Sequence, residues 1–163
     1  MAWAHLILLL LWSGIGLQSL AYYPQLPPVV ASHFDAAGTP NGWQSKAMFF
    51  GIYWGVSLLM TLAFYALPVL LRRLPVAVIN LPHRDYWLVP ERRQESLASL
   101  ARYMHWFGNA MIGLLLVTFE LAIEANLRRQ NLPPDAMWAL LAGFLIFTGA
   151  WLVRLYRRFA RPG

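Results

Sequence analysis

The chain of 163 residues contains no cysteine. Disulfides and thiolate metal sites are therefore excluded, and any exposed segment must hold its shape by turns, packing and hydrogen bonds. Charge is scarce as well. Charged residues make up 12% of the chain, against about 25% in an ordinary soluble domain. The deficit is concentrated. Of Asp, Glu, Lys, Arg and His, residues 1–23 carry only His5; residues 47–71 and 137–153 carry none; residues 106–127 carry only Glu120 and Glu124. Catalytic signatures are missing too: there is no G-x-S-x-G, no H-E-x-x-H and no P-loop. Ser32 beside His33 does not replace them, because neighbours on an extended chain point to opposite faces. No internal repeat is present.

What remains is apolar. A run of roughly 20 apolar residues crosses a bilayer core, and four such runs predict an all-α membrane protein with four transmembrane helices, at about 2–21, 46–71, 104–127 and 135–156. Ser19-Leu20-Ala21 resembles a signal-peptide cleavage site, but no basic residue precedes the first run, so it is expected to stay as a helix. The net charge is +6, and its distribution argues against nucleic acid. Arg72, Arg73, Arg84, Arg92, Arg93, Arg102, Arg154, Arg157, Arg158 and Arg161 flank one side of the spans, and only Lys46, Arg128 and Arg129 flank the other. Such asymmetry is the positive-inside pattern. It predicts both termini in the cytoplasm, a cytoplasmic interfacial segment at 72–103, and an ordered extracytoplasmic loop between helices one and two. The basic residues are expected to meet lipid headgroups, with 1–163 forming one transmembrane domain.

Local signals sharpen this outline. Ser13, Gly14 and Gly16 offer helix one a small-residue face, and Gly51 and Gly55 form a GxxxG pair in helix two. Pro24, Pro27 and Pro28 favour extended chain, and residues 29–34 suit a short extended piece. Asp35, Gly38, Pro40 and Asn41-Gly42 carry turn chemistry, with Gly38 and Gly42 expected at positive φ. Ser45 is a plausible N-cap for helix two and Asp135 for helix four, and Pro68 is expected to bend the inner end of helix two. Pro90 followed by Glu91 starts a helix that runs into span three.

Span three carries a polar stripe. At about 100° per residue, His105, Asn109, Gly113, Glu120 and Glu124 share one face, which should point into the bundle or at water. Glu124 is placed to pair with Arg128. Glu120 lies at the level of Lys46 and is expected to contact it or the His33–Asp35 turn. His5 and His105 both fall near the basic ends of their helices. A haem clamped between them, as in a small b-type electron-transfer protein, is an alternative reading. A third is an accessory subunit packed on a larger membrane complex.

Two stretches carry a family resemblance. SHFDAAGTPNGWQSK, residues 32–46, follows YPQLPPVV. It resembles the signature of a bacterial membrane-protein family known as domain of unknown function 1648. His33, Phe34, Gly38, Pro40, Gly42, Trp43, Ser45 and Lys46 match the pattern; Asp35 stands where Asn is common, Asn41 where Asp is common, and Ala31 where Pro is frequent. INLPHRDYWLVPERRQESL resembles a stretch found in a subset of these proteins, through Asn80, Pro82, Asp85, Tyr86, Trp87, Pro90, Glu91, Arg92 and Arg93. The best-known relatives are SdpI-type immunity proteins, whose second membrane half the resemblance does not cover. It implies a non-enzymatic sensing or immunity role. The outward site is then His33, Asp35, Gly38, Asn41, Trp43, Lys46 and Glu120, contacting a peptide, lipid or membrane-protein partner. The cytoplasmic docking surface is Asp85, Tyr86, Trp87, Glu91, Arg92 and Arg93, facing a regulator. One His with one Asp falls short of the three or four protein ligands of a zinc site, and neither metal nor cofactor is expected.

Overall fold

The computed structural model describes residues 2–160; Arg161 lies outside the described residues. Among the described residues, four helices are long and apolar enough to cross a membrane: α1 (Ala2–Tyr22), α2 (Lys46–Leu71), α4 (Pro90–Arg128) and α5 (Pro134–Phe159). A one-turn helix, α3 (Arg84–Trp87), lies between α2 and α4.

The segment between α1 and α2 is a β-hairpin, β1 (Val29–Phe34) and β2 (Pro40–Ser45), paired antiparallel. Val29 pairs with Ser45 and Ala31 with Trp43; the register then shifts, so that His33 faces Gly42 and Phe34 faces Pro40. The first strand matches the expected extended piece. The second does not follow from local signals, because PNGWQS reads as turn chemistry until β1 supplies its hydrogen-bonding partner. Asp35 makes the turn. Its Oδ1 accepts from the backbone N–H of Ala37 at 2.9 Å and of Thr39 at 2.8 Å. Gly38 adopts φ +79°. Gly42 does not have positive φ. It is small for another reason: a Cβ there would stand 2.9 Å from His33 Cβ across the ladder.

Ser45 caps α2 as expected, its Oγ accepting from Met48 N at 3.2 Å. Leu62–Ala66 is a π-helical turn that ends two residues before Pro68. Proline lacks an N–H and its ring clashes with the carbonyl four residues back, and a wider turn accommodates both. Near Pro68 the regular α-helix gives way to a π-turn. Asp135 does not cap α5. Pro133 occupies the N-cap position, and Asp135 lies in the first turn, where a carboxylate still favours the helix dipole.

Helix α4 is the hub of the bundle. Its 39 residues make a rod of about 58 Å at 1.5 Å per residue, longer than a bilayer core of about 30 Å. It packs against α1, α2 and α5. At Gly108 it approaches the π-turn so closely that a Cβ would meet Phe64 Cβ at 2.6 Å. Gly14 of α1 rests on Leu116, which a Cβ would touch at 3.3 Å. The other expected small-residue contacts do not form within the chain. A Cβ at Gly16, Gly51 or Gly55 would meet nothing within 4 Å. One core, built around Ile15, Val30, Phe49, Tyr53, Ile112 and Ile123, joins the hairpin to the helices. A second, around Ile79, Leu81, Trp87, Leu97 and Phe159, closes the arginine-rich end.

Candidate functional site

At the hairpin end the expected polar residues divide into separate groups. His33 Nδ1 is hydrogen-bonded to Asn41 Oδ1 across the hairpin, and both residues are exposed. Asp35 is engaged by the turn amides described above. Trp43 is 61% exposed. Lys46 points away from all of them. Its Nζ donates to the carbonyls of Tyr23 and Leu26, each at 3.1 Å, and lies 4.8 Å above the Tyr23 ring. Lys46 therefore satisfies carbonyls left open by the proline-rich link between α1 and β1.

Glu120 does not meet Lys46 or the His33–Asp35 turn. Its carboxylate accepts from Gln18 Nε2 at 2.5 Å and from Tyr22 O–H at 2.8 Å. The stripe does point into the bundle, but the helix it faces there is α1. The neighbouring face of α4 meets α2, where Phe119 stacks on Tyr53 with ring centres 4.0 Å apart, and Tyr65 of α2 reaches the stripe itself at His105 and Asn109. Glu124 pairs with Arg128 at 3.4 Å as expected.

Asn126 is a position at this end that local reading missed. Its amide grips both backbone groups of Ala31: Ala31 N donates to Oδ1 at 2.7 Å, and Nδ2 donates to Ala31 O at 2.8 Å. The side chain thus does for β1 what a third strand would do, and seals that edge. Gly38 makes the second tie, its carbonyl accepting from Leu132 N at 2.9 Å. An amide in the last turn of an apolar helix was the available signal. Between the hairpin and this end of α4 lies an open groove of about 490 Å³, lined by Pro27, Val29, Trp43, Leu127, Arg129 and Gln130 among others.

At the arginine-rich end the expected docking residues also divide. Trp87 is buried and donates from Nε1 to Phe159 O at 2.8 Å, with the Arg158 guanidinium 4.6 Å above its ring. Arg93 donates to Leu74 O at 2.6 Å. These two clamp the elbow to α5 and α4. Arg92 lies 3.9 Å above the Tyr86 ring and donates to Tyr86 O at 3.0 Å. Asp85 is exposed beside Arg84 at 3.6 Å, and Glu91 is exposed in the first turn of α4. Asp85, Glu91 and Arg92 remain as the accessible set.

His5 and His105 do meet, but not around a haem. Their ring centres are 5.2 Å apart at 73°, and His105 stacks on Tyr65 at 4.2 Å. Imidazoles on opposite faces of one metal, each with a bond of about 2 Å, have ring centres roughly 6 Å apart. Rings in edge contact leave no space for a macrocycle. The cluster is braced by Asn109, which donates to Ala4 O at 2.9 Å and accepts from Tyr65 O–H at 2.8 Å. Among the described residues, no group of three or more His, Asp or Glu gathers to hold a metal ion.

Comparison with curated proteins and with solved structures gives no match. Residues 6–54, which carry most of α1, the whole hairpin and the first turns of α2, match the family model described as Domain of unknown function (DUF1648).

Proposed function

We propose that this multi-pass membrane protein is a non-enzymatic sensor of the bacterial inner membrane. The hairpin end engages a peptide or a membrane-protein partner, and α4 carries the change to the arginine-rich end, where a cytoplasmic regulator reads it. The observation that carries this reading is the pair of attachments on one continuous helix. Asn126 and the neighbouring loop hold the hairpin at one end of α4. Arg93, and Glu95 through Arg158 at 3.6 Å, hold the elbow and the end of α5 at the other. In this reading α4, fixed at both ends, couples them. The arginine distribution supports an N-in, C-in orientation with the hairpin outside. The SdpI-type resemblance supports an immunity or signalling output.

The test is hydrogen exchange on wild type and Asn126→Ala in lipid nanodiscs. Loosening the hairpin should raise exchange in residues 29–45 and also in residues 79–89 at the far end. Faster exchange confined to the hairpin would refute the coupling. The accessory-subunit reading is favoured by one observation, the uncovered Gly51–Gly55 face. Co-purification of a second chain at fixed stoichiometry from native membranes would select it.

A further inference from the structure

The hairpin end has three cations, and the structure treats them differently. Lys46 is committed to two carbonyls and an aromatic face, and Arg128 to Glu124. Arg129 is exposed, and its side chain makes no hydrogen bond or ion pair among the described residues. It lines the groove beside the hairpin, whose lining includes no acidic residue.

The backbone at Arg129 sharpens the contrast. The residue occupies the position after the last turn of α4, at φ 52° and ψ 46°, with Gln130 N donating to Ala125 O at 3.0 Å. Helix ends of this form favour glycine, because a Cβ in the left-handed region is strained. An arginine is therefore held at a glycine position, on the wall of the groove. Strain kept in place at a cavity points from structure to function.

The groove also straddles a polarity boundary. Leu127, Val29, Pro27 and Trp43 supply its apolar flank, and Gln25, Gln130 and Asn131 its polar one. Val29 and Trp43 are exposed. The apolar span of α4 ends at Leu127, two residues before Arg129. A polar head with one negative charge and an apolar tail matches this layout. Its volume of about 490 Å³ falls within the usual range of small-molecule sites, roughly 300–1,000 Å³.

We propose that the groove between the hairpin and the end of α4 binds the phosphodiester headgroup of an anionic phospholipid through Arg129, with Trp43 and Val29 against the glycerol and upper acyl chain. The bound lipid would fasten the hairpin to the bilayer surface. It would occupy the groove whether or not the protein senses anything, so loss of end-to-end coupling and loss of lipid selectivity are separate results.

The full chain is reconstituted in vesicles of equal phosphatidylglycerol and phosphatidylcholine, released in mild detergent and weighed by native mass spectrometry. Wild type should retain phosphatidylglycerol over phosphatidylcholine by about fivefold, as one basic residue at an anionic headgroup implies. Arg129→Gly should lose that preference. Its thermal midpoint in phosphatidylcholine alone should nevertheless rise, because glycine relieves the left-handed strain, so misfolding cannot explain the loss. Arg128→Gln should keep the preference. Equal retention of both lipids by wild type, a preference that survives Arg129→Gly, or equal loss in both variants would each overturn the assignment. Displacement of the retained lipid by inorganic phosphate would overturn it in favour of a soluble anion.

Discussion

Gly38→Ala should undock the hairpin while leaving the helices in place. A Cβ at this position would stand 1.9 Å from Leu132 O and 3.0 Å from Leu132 C. Contacts below 3.0 Å are essentially never seen, so the backbones must part by at least 1.1 Å. Both partners are main chain, and neither can rotate away. Three costs combine. The left-handed φ costs an alanine about 1–2 kcal/mol. Forced separation costs about 1–3 kcal/mol. The Leu132 N–H to Gly38 C=O bond is lost, worth about 1 kcal/mol. A total of roughly 3–6 kcal/mol exceeds what an isolated two-stranded hairpin can hold. Hydrogen exchange in nanodiscs should therefore show residues 29–45 losing protection, with residues 106–123 unchanged. Gly51→Ala is the matched control. A Cβ there meets nothing within 4 Å, and alanine in a helix interior gains about 0.5–1 kcal/mol over glycine. Wild-type protection in Gly38→Ala, or equal damage in both variants, would refute the steric argument.

A double-mutant cycle on Tyr22→Phe and Glu120→Gln should give a coupling of about 1–2 kcal/mol in thermal unfolding, because the two side chains share a hydrogen bond; Glu120→Gln paired with Lys46→Gln should give none. Trp87→Phe should destabilise the arginine-rich end by about 1–2 kcal/mol through loss of the bond to Phe159 O, read as faster protease cleavage after residue 150. With no native cysteine, Asn41→Cys and Asp85→Cys each create a unique thiol. Membrane-impermeant maleimide should label Asn41→Cys in intact cells and Asp85→Cys only after permeabilisation, and the reverse pattern would overturn the orientation.

Much of the architecture is legible residue by residue. Glu91 after Pro90 marks a helix start, and the helix does run from Pro90 through the third span. Pro68 marks the break that the π-turn realises. Asp35 and Gly38 encode a turn whose hydrogen bonds lie within five residues, and such local chemistry does not depend on the rest of the fold. The docking surfaces are less legible. Trp87 and Asp85 sit two residues apart in one motif, yet one is buried under α5 and the other is exposed. A one-turn helix directs them to opposite sides, and only its placement says which side is covered.

The sequence alone determines the number of spans, the helical face that carries His105, Asn109 and Glu120, and the turn at Asp35, because each follows from hydropathy, a 100° period or chain-local hydrogen bonds. Tertiary structure alone decides the partners. The helical period puts Glu120 on a face but does not say that the face meets Gln18 and Tyr22 of α1. Lys46, Arg128 and Arg129 are alike in charge, and they separate only when folding brings carbonyls to the first and a carboxylate to the second. The third is left facing the groove. Ala31 gains its third-strand partner from Asn126, 95 positions away, because an unpaired strand edge accepts whatever amide the packing of α4 presents to it.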